Sequence, residues 1–377
     1  MLGTLIKIGT GVLNAVYSIM KIAPVKNRIV FLSRQSNKPS YDIRALDEWF
    51  QKQGFETVVL CKEMGHGPAA YAGYMLHMLK QMRCMATSKM VILDTYCIAA
   101  CLLRHRDELI IAQMWHALGS LKKFSLSILD QAGGRSSGTA NIMHMHEQYD
   151  IIFTSSEASR SAFAEAFGYD EEALTVMSLP RVDAILDQQR DEKNKEKIRD
   201  AYPGIAEGGR KVLLYAPTFR KGKDISEDVR RLIDTVDYSR YDLIVKLHPL
   251  DAALIEGGQA IVDRKFSTMD MLSICDVVIT DYSAVTYEAA LKGRPLVFYA
   301  FDIGEYIAGR DFYLDYNSEM PGPVVTSAAD VMKVIDAEDW QPDRVRQFAE
   351  KYIEKREHCT EEMGQYLLDR INDWRSL

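Results

Sequence analysis

The stretch ITDYSAVTYEAALKGRPLV, residues 279–297, decides the fold of this chain. An apolar run ending in Val277-Val278-Ile279 stops at Thr280-Asp281-Tyr282-Ser283, and small helix-tolerant residues follow at once. Strand, polar corner and helix start form the repeating step of a doubly wound α/β domain. The corner carries two hydroxyls and a carboxylate where an ordinary dinucleotide loop carries glycines. Asp281 or Ser283 can cap a helix that begins near Ala284. The backbone N–H groups and dipole of its first turn then make an anion site, to which Thr280 and Ser283 add hydroxyl donors. A phosphate fits there, and Glu288, one turn on, can accept hydrogen bonds from a ribose or polyol. Plain N-capping uses the same residues, since Ser and Asp are common caps.

The same alternation extends in both directions. RIVFLS (28–33), ETVVLC (56–61), KMVILD (89–94), ELIIAQMW (108–115) and DIIFTSS (150–156) read as strands. Their continuous Val/Ile/Leu content suits parallel strands buried on both faces. Helical segments at 42–53, 68–84 and 157–167 lie between them. A second set follows Pro180: KVLLYAPT (211–218), DLIVKLHP (242–249), DVVITD (276–281) and PLVFYA (295–300), with helices at 226–236, 283–292 and 327–336. The stretch 342–375 reads as amphipathic helix, and the charged segment 178–204 reads as a hinge. Two such arrays predict two Rossmann-like domains, residues 27–180 and 181–345, with a cleft between them. Residues 346–377 are expected to pack back on the first domain as a helix.

A chain of 377 residues with 47% hydrophobic and 26% charged residues has ample core for two domains. Its net charge of −7 argues against a general nucleic-acid binder. The six cysteines, at 61, 84, 97, 101, 275 and 359, form no CxxC pair and no metal-like spacing, and read as reduced thiols. The first 26 residues are apolar but broken by Lys7, Asn14 and Lys21, and no small-residue cleavage site follows. That makes a poor membrane span and a better helix in the membrane interface, its lysines toward anionic headgroups. A helix packed on the protein's own surface is the competing reading, and self-association through this helix stays open.

In doubly wound folds ligands gather beyond the carboxyl ends of strands, so the residues placed there are the candidates. In QMWHALGSLKKF (113–124), His116 directly follows a strand, and neutral imidazole can accept a proton from an attacking hydroxyl. Lys122 and Lys123 can draw in a phosphorylated partner. In YAPTFRKGK (215–223), Pro217 ends the strand and leaves Thr218, Arg220, Lys221 and Lys223 on a loop, where Arg220 offers a planar fork for phosphate oxygens. IVKLHPL (244–250) sets Lys246 and His248 at another strand end, with Pro249 turning the chain. Arg294, Asp302, Arg310 and Asp315 are individually weak signals. The carboxylates are too scattered in sequence to name a metal cage.

In combination these motifs are specific. Trp115-His116 with Gly119 and Lys122-Lys123, then LPRVD (179–183), YAPTFR, KLHP, TDYS, RPLVFY and GRDFY occur in an order that resembles the CDP-glycerol:poly(glycerophosphate) glycerophosphotransferase family. The resemblance covers about residues 27–345. It implies a GT-B arrangement and a place at the cytoplasmic face of the cell membrane in Gram-positive teichoic acid or capsule assembly. It further implies transfer of glycerol phosphate or ribitol phosphate from a CDP-activated polyol to a hydroxyl of a lipid-linked acceptor, with release of CMP. His116 would match the family's catalytic base and His248 the HP histidine near the donor pyrophosphate. Thr280, Asp281 and Ser283 would match its phosphate corner, and Arg220 the arginine after APT. Ala117 and Ala284 stand where glycine and serine are usual, and Glu288 where aspartate is common, which bears on polyol or acceptor choice. No protein-bound cofactor is implied; Mg²⁺ on the substrate pyrophosphate stays open. The competing activity is a GT-B glycosyltransferase using a sugar nucleotide.

Overall fold

The computed structural model describes residues 2–131, 133–220, 222–247, 255, 258–309 and 311–373. The chain divides into two compact units. Unit 1 holds the chain up to Ala117, Phe124–Asp183 and the C-terminal stretch from Lys355; unit 2 holds Leu118–Lys123 and Ala184–Glu354.

Unit 1 is built on six parallel strands: β1 (Arg28–Ser33), β2 (Glu56–Cys61), β3 (Met90–Leu93), β4 (Ile110–Gln113), β5 (Ile151–Thr154) and β6 (Leu174–Val176). Their order across the sheet is β2-β1-β3-β4-β5-β6, so the winding direction reverses between β1 and β3. β3, β4 and β5 are buried at every position, as the unbroken apolar runs require. Unit 2 repeats the plan with β7 (Lys211–Tyr215), β8 (Tyr241–Val245), β9 (Ile261–Val262), β10 (Val277–Thr280), β11 (Leu296–Tyr299) and β12 (Val324–Val325). Its order, β12-β11-β10-β7-β8-β9, reverses between β7 and β10. Each reversal opens a crevice at the strand ends where a ligand can enter the sheet's edge. Both units are thus Rossmann-like.

The segment read as a hinge is largely helical, at Arg181–Leu186 and Gln188–Ala201, and the boundary between units falls at 183/184. Asp187 caps the second of these helices by accepting from the Gln189 and Arg190 N–H groups. The stretch 342–375, read as one helix, is two: Pro342–Tyr352 in unit 2 and Cys359–Asp373 in unit 1. Left-handed His358 breaks it, and Asp183 restarts it by accepting from the Cys359 and Thr360 N–H groups. The second helix packs on Tyr41–Lys52 so closely that Gly364 leaves no room for a side chain beside the Trp49 ring. No disulfide joins the six cysteines; Cys61 is half-buried and the others are buried.

The N-terminal helix, Leu2–Met20, docks on unit 1 through its polar residues. Tyr17 is buried with its hydroxyl 2.9 Å from His105 Nδ1, and the Asn14 carboxamide accepts from Arg104 N at 2.8 Å. Three of its apolar residues face outward, Ile8, Val12 and Ile19 at 61%, 59% and 68% exposed, while Ile6, Leu13, Val16 and Met20 are half-buried. Among the described residues no helix is long and apolar enough to cross a membrane.

Candidate active site

In unit 1 the strand ends converge on His116. β4 leaves the sheet at Gln113, whose side-chain oxygen accepts from Trp115 N at 2.9 Å and stabilises a left-handed turn at Trp115. That turn sets the indole on Phe124, rings 5.1 Å apart, and against the His116 imidazole at 4.1 Å. His116 Nδ1 lies 2.7 Å from the carbonyl oxygen of Asp94, one residue past β3. A carbonyl only accepts, so Nδ1 carries the hydrogen and Nε2 holds the lone pair. The Gln35 amide nitrogen, two residues past β1, faces the imidazole at 3.0 Å from both ring nitrogens. Burial lowers the His116 pKa to about 4, with the Asp94 carbonyl pulling the other way. At neutral pH the ring is therefore an uncharged proton acceptor.

Sequence reasoning missed Gln35 and Asp94, although both follow strands directly. Asp94 is 1% exposed and neither carboxyl oxygen has a hydrogen-bond partner of good geometry. Burial raises its pKa to about 7; the flanking Ser33 and Thr95 hydroxyls oppose the shift. Nearby, Arg181 of the LPRVD stretch grips the buried Asp42 carboxylate through its backbone N–H, Nε and Nη2, at 2.7, 2.8 and 2.5 Å. That motif arginine ties the chain to the first turn of the helix Tyr41–Lys52.

In unit 2 the crevice between β7 and β10 gathers Thr218, Arg220, Thr280, Asp281, Ser283 and Ala284. Asp281 is fully buried and does not cap the following helix. Its Oδ1 accepts from Thr218 N at 2.8 Å and Tyr282 N at 2.6 Å, and its Oδ2 pairs with Arg220 Nη2 at 2.8 Å. Arg220, 6% exposed, also forks onto Asp302, Nε and Nη2 at 2.7 and 2.9 Å, and donates from Nη1 to Thr218 O. Phe301, Tyr282 and Tyr306 surround the guanidinium. Burial works against its charge, but the two carboxylates hold its pKa above the ordinary value. Burial would likewise raise Asp302; Arg220 and Lys223 keep it below the usual carboxylate range. The fork read as a phosphate clamp is therefore committed to two buried aspartates and shapes the corner from beneath.

Thr280 is buried and donates from Oγ1 to Ala216 O at 2.7 Å, tying the ends of β10 and β7 together. Ser283 and Ala284 are half-buried at the start of Val285–Leu291, where Ser283 Oγ accepts from Val285 N at 3.4 Å. Glu288 is half-buried on that helix. Thr218 Oγ1 is buried at the crevice without a partner. Lys246 directly follows β8 but turns to Asp263 Oδ2 at 2.7 Å and to the Phe266 carbonyl. His248, Pro249, Lys221 and Arg310 lie outside the described residues.

Lys122 and Lys123 belong to unit 2, where their segment pairs antiparallel with Asp311–Tyr313. Lys123 Nζ meets Asp311 at 3.2 Å, and Lys122 Nζ sits 5.9 Å from the Tyr306 ring centre. A Cβ on Gly119 would come within 2.5 Å of the Tyr287 ring, which explains the glycine in WHALGS. The residues brought together are thus His116 with Gln35 and Asp94 in unit 1, and Thr218, Arg220, Asp281 and Asp302 in unit 2.

The sequence profile of the CDP-glycerol:poly(glycerophosphate) glycerophosphotransferase family matches residues 15–365. The chain is 30% identical over 364 residues to the teichoic acid ribitol-phosphate primase of Bacillus spizizenii, covering 93% of each. To the teichoic acid glycerol-phosphate primase of Bacillus subtilis it is 30% identical over 255 residues, 66% of this chain and 65% of that one. Among solved structures, the wall teichoic acid polymerase TagF superposes with a TM-score of 0.76 at 20% identity, covering 98% of this chain and 97% of that one, which speaks to fold alone. A match spanning nearly the whole chain, together with a full-length relative at this identity, places this protein in the CDP-glycerol:poly(glycerophosphate) glycerophosphotransferase family.

Proposed function

We propose that this protein transfers ribitol phosphate or glycerol phosphate from its CDP-activated form to a hydroxyl of a lipid-linked acceptor in teichoic acid synthesis, releasing CMP. In this reading His116 Nε2 takes the proton of the acceptor hydroxyl as its oxygen attacks the phosphorus that carries the polyol. The anhydride bond to CMP breaks in line, and the electron pair leaves with the CMP phosphate. Little covalent work falls to the protein; positioning and positive potential carry the catalysis. Thr218 Oγ1, the Ser283 hydroxyl and the N–H groups at the start of Val285–Leu291 would serve the donor phosphates. His248 would serve the same pyrophosphate. Mg²⁺ would enter on the donor pyrophosphate, as part of the substrate.

The observation that carries the reading is the neutral, oriented imidazole of His116 in a chain of this family. The full-length similarity to a ribitol-phosphate primase supports ribitol as the polyol and a priming role. The relatives are polyol-phosphate transferases, which favours this activity over transfer from a sugar nucleotide. We place the enzyme at the cytoplasmic face of the membrane, held by the N-terminal helix, because that helix turns Asn14 and Tyr17 inward and Ile8, Val12 and Ile19 outward. The test offers CDP-ribitol, CDP-glycerol and a UDP-sugar with a lipid-linked disaccharide or its glycerophosphate-primed form. CMP from one CDP-polyol supports the proposal and names the polyol, and the preferred acceptor separates priming from extension. Turnover of the UDP-sugar alone refutes it.

A further inference from the structure

Building on the membrane placement above, we propose that a groove at the carboxyl end of the N-terminal helix is a headgroup site for an anionic phospholipid. The groove has a volume of about 300 Å³, and its walls include Ile19, Ala23, Lys26, Arg28, Arg83 and Thr87. One wall is apolar and open to solvent: Ile19 is 68% exposed, and Ile22, just beyond it, 82%. The other wall is cationic; among the described residues its lining includes no carboxylate, and Glu56 stands beside it, paired with Arg28. Arg28 gives Nη2 to Glu56 and Nη1 to Thr87 Oγ1, and keeps a buried Nε without a partner. The Lys26 and Arg83 side chains are exposed and unbonded among the described residues.

The helix end itself does not account for these cations. The carbonyls just beyond it, of Lys21 and Ala23, accept from Arg106 Nη2, which sets a cation at the negative end of the helix dipole. What remains is a donor-rich pocket for a phosphate beside an apolar ledge for the start of an acyl chain. A free anion would use the first and leave the second in water. The helix Pro68–Met85, which supplies Arg83, extends the ledge with Tyr71, Met75 and Leu79 at four-residue spacing, 50%, 46% and 36% exposed. Arg83 is the next residue in that series.

The experiment is co-sedimentation of the full chain with vesicles of phosphatidylcholine alone, with phosphatidylglycerol added, or with oleate added to the same surface charge. The headgroup site predicts tighter binding to phosphatidylglycerol than to oleate. K26Q/R83Q should abolish that preference and weaken phosphatidylglycerol binding about 30-fold, from roughly 1 kcal/mol per basic residue at an anionic surface. K26R/R83K should retain the preference, which separates loss of the site from loss of the fold. Equal binding to both anionic vesicles, or a preference that survives K26Q/R83Q, overturns the site and leaves the membrane placement standing. Release from phosphatidylglycerol vesicles by millimolar inorganic phosphate overturns the lipid as its ligand. Binding to none of the vesicles overturns the membrane placement as well.

Discussion

Arg220 Nη2 stands 2.8 Å from Asp281 Oδ2 while the same guanidinium forks onto Asp302, closing a buried charge triad under the crevice of unit 2. Removing one member leaves the others buried and uncompensated, which typically costs 3–5 kcal/mol. R220A should therefore destabilise unit 2 by about that amount. R220K should recover only part, because an ammonium cannot reproduce the fork. Urea unfolding followed by fluorescence measures both. A stable R220A that only lost donor affinity would mean the guanidinium serves the phosphate directly.

Thr218 makes the opposite prediction. Its hydroxyl is buried and unpartnered, so T218V removes an unsatisfied group and should leave stability unchanged or slightly higher. If the hydroxyl is kept for the donor phosphate, KM for the CDP-polyol should rise by roughly tenfold, the value of one hydrogen bond to a charged group. Steady-state kinetics beside a melting curve separates the two effects. An unchanged KM would take Thr218 out of the donor site.

The architecture was legible because strands buried on both faces write themselves as unbroken apolar runs. RIVFLS and ETVVLC coincide with β1 and β2 residue for residue. β6, β9 and β12 escaped, since two or three residues carry no periodicity. The helix Gln188–Ala201 escaped for another reason: it is almost wholly polar and has no apolar stripe to read. For the site, strand ends located His116, Thr218 and Asp281, and applied evenly they would have found Gln35 and Asp94. Arg220's role was invisible because Asp302, its main partner, lies 82 residues away and only the fold joins them.

Asp94 gives a pH dependence with a definite sign. Folded, its carboxyl keeps a proton up to about 7, against an ordinary value of 3.8. The folded state thus binds more protons between those values, and this group's stabilising contribution, complete below pH 3.8, is lost as pH rises through 7. D94N cannot ionise, so its advantage over the wild type should grow from pH 5 to pH 8 by on the order of 2–4 kcal/mol. Unfolding midpoints at the two pH values test it. A constant difference would place the charge elsewhere.

Gly119 tests the close approach to Tyr287. A methyl there meets the ring at 2.5 Å, and Tyr287 is itself wedged against Phe348 and Tyr352. G119A should destabilise unit 2 by about 1–3 kcal/mol through overpacking. Y287L in the same chain should restore part of the loss. G119A with wild-type stability would show that the ring yields freely.

Catalysis by His116 is tested most directly by CMP release from the CDP-polyol, with acceptor present, for the wild type beside H116A. Loss of the base should lower kcat by about 10²–10⁴ with the fold intact. Because the ring is neutral down to about pH 4, the wild-type rate should show no acid limb from this group between pH 5 and 7. CMP release at an undiminished rate by folded H116A would contradict its role as the base.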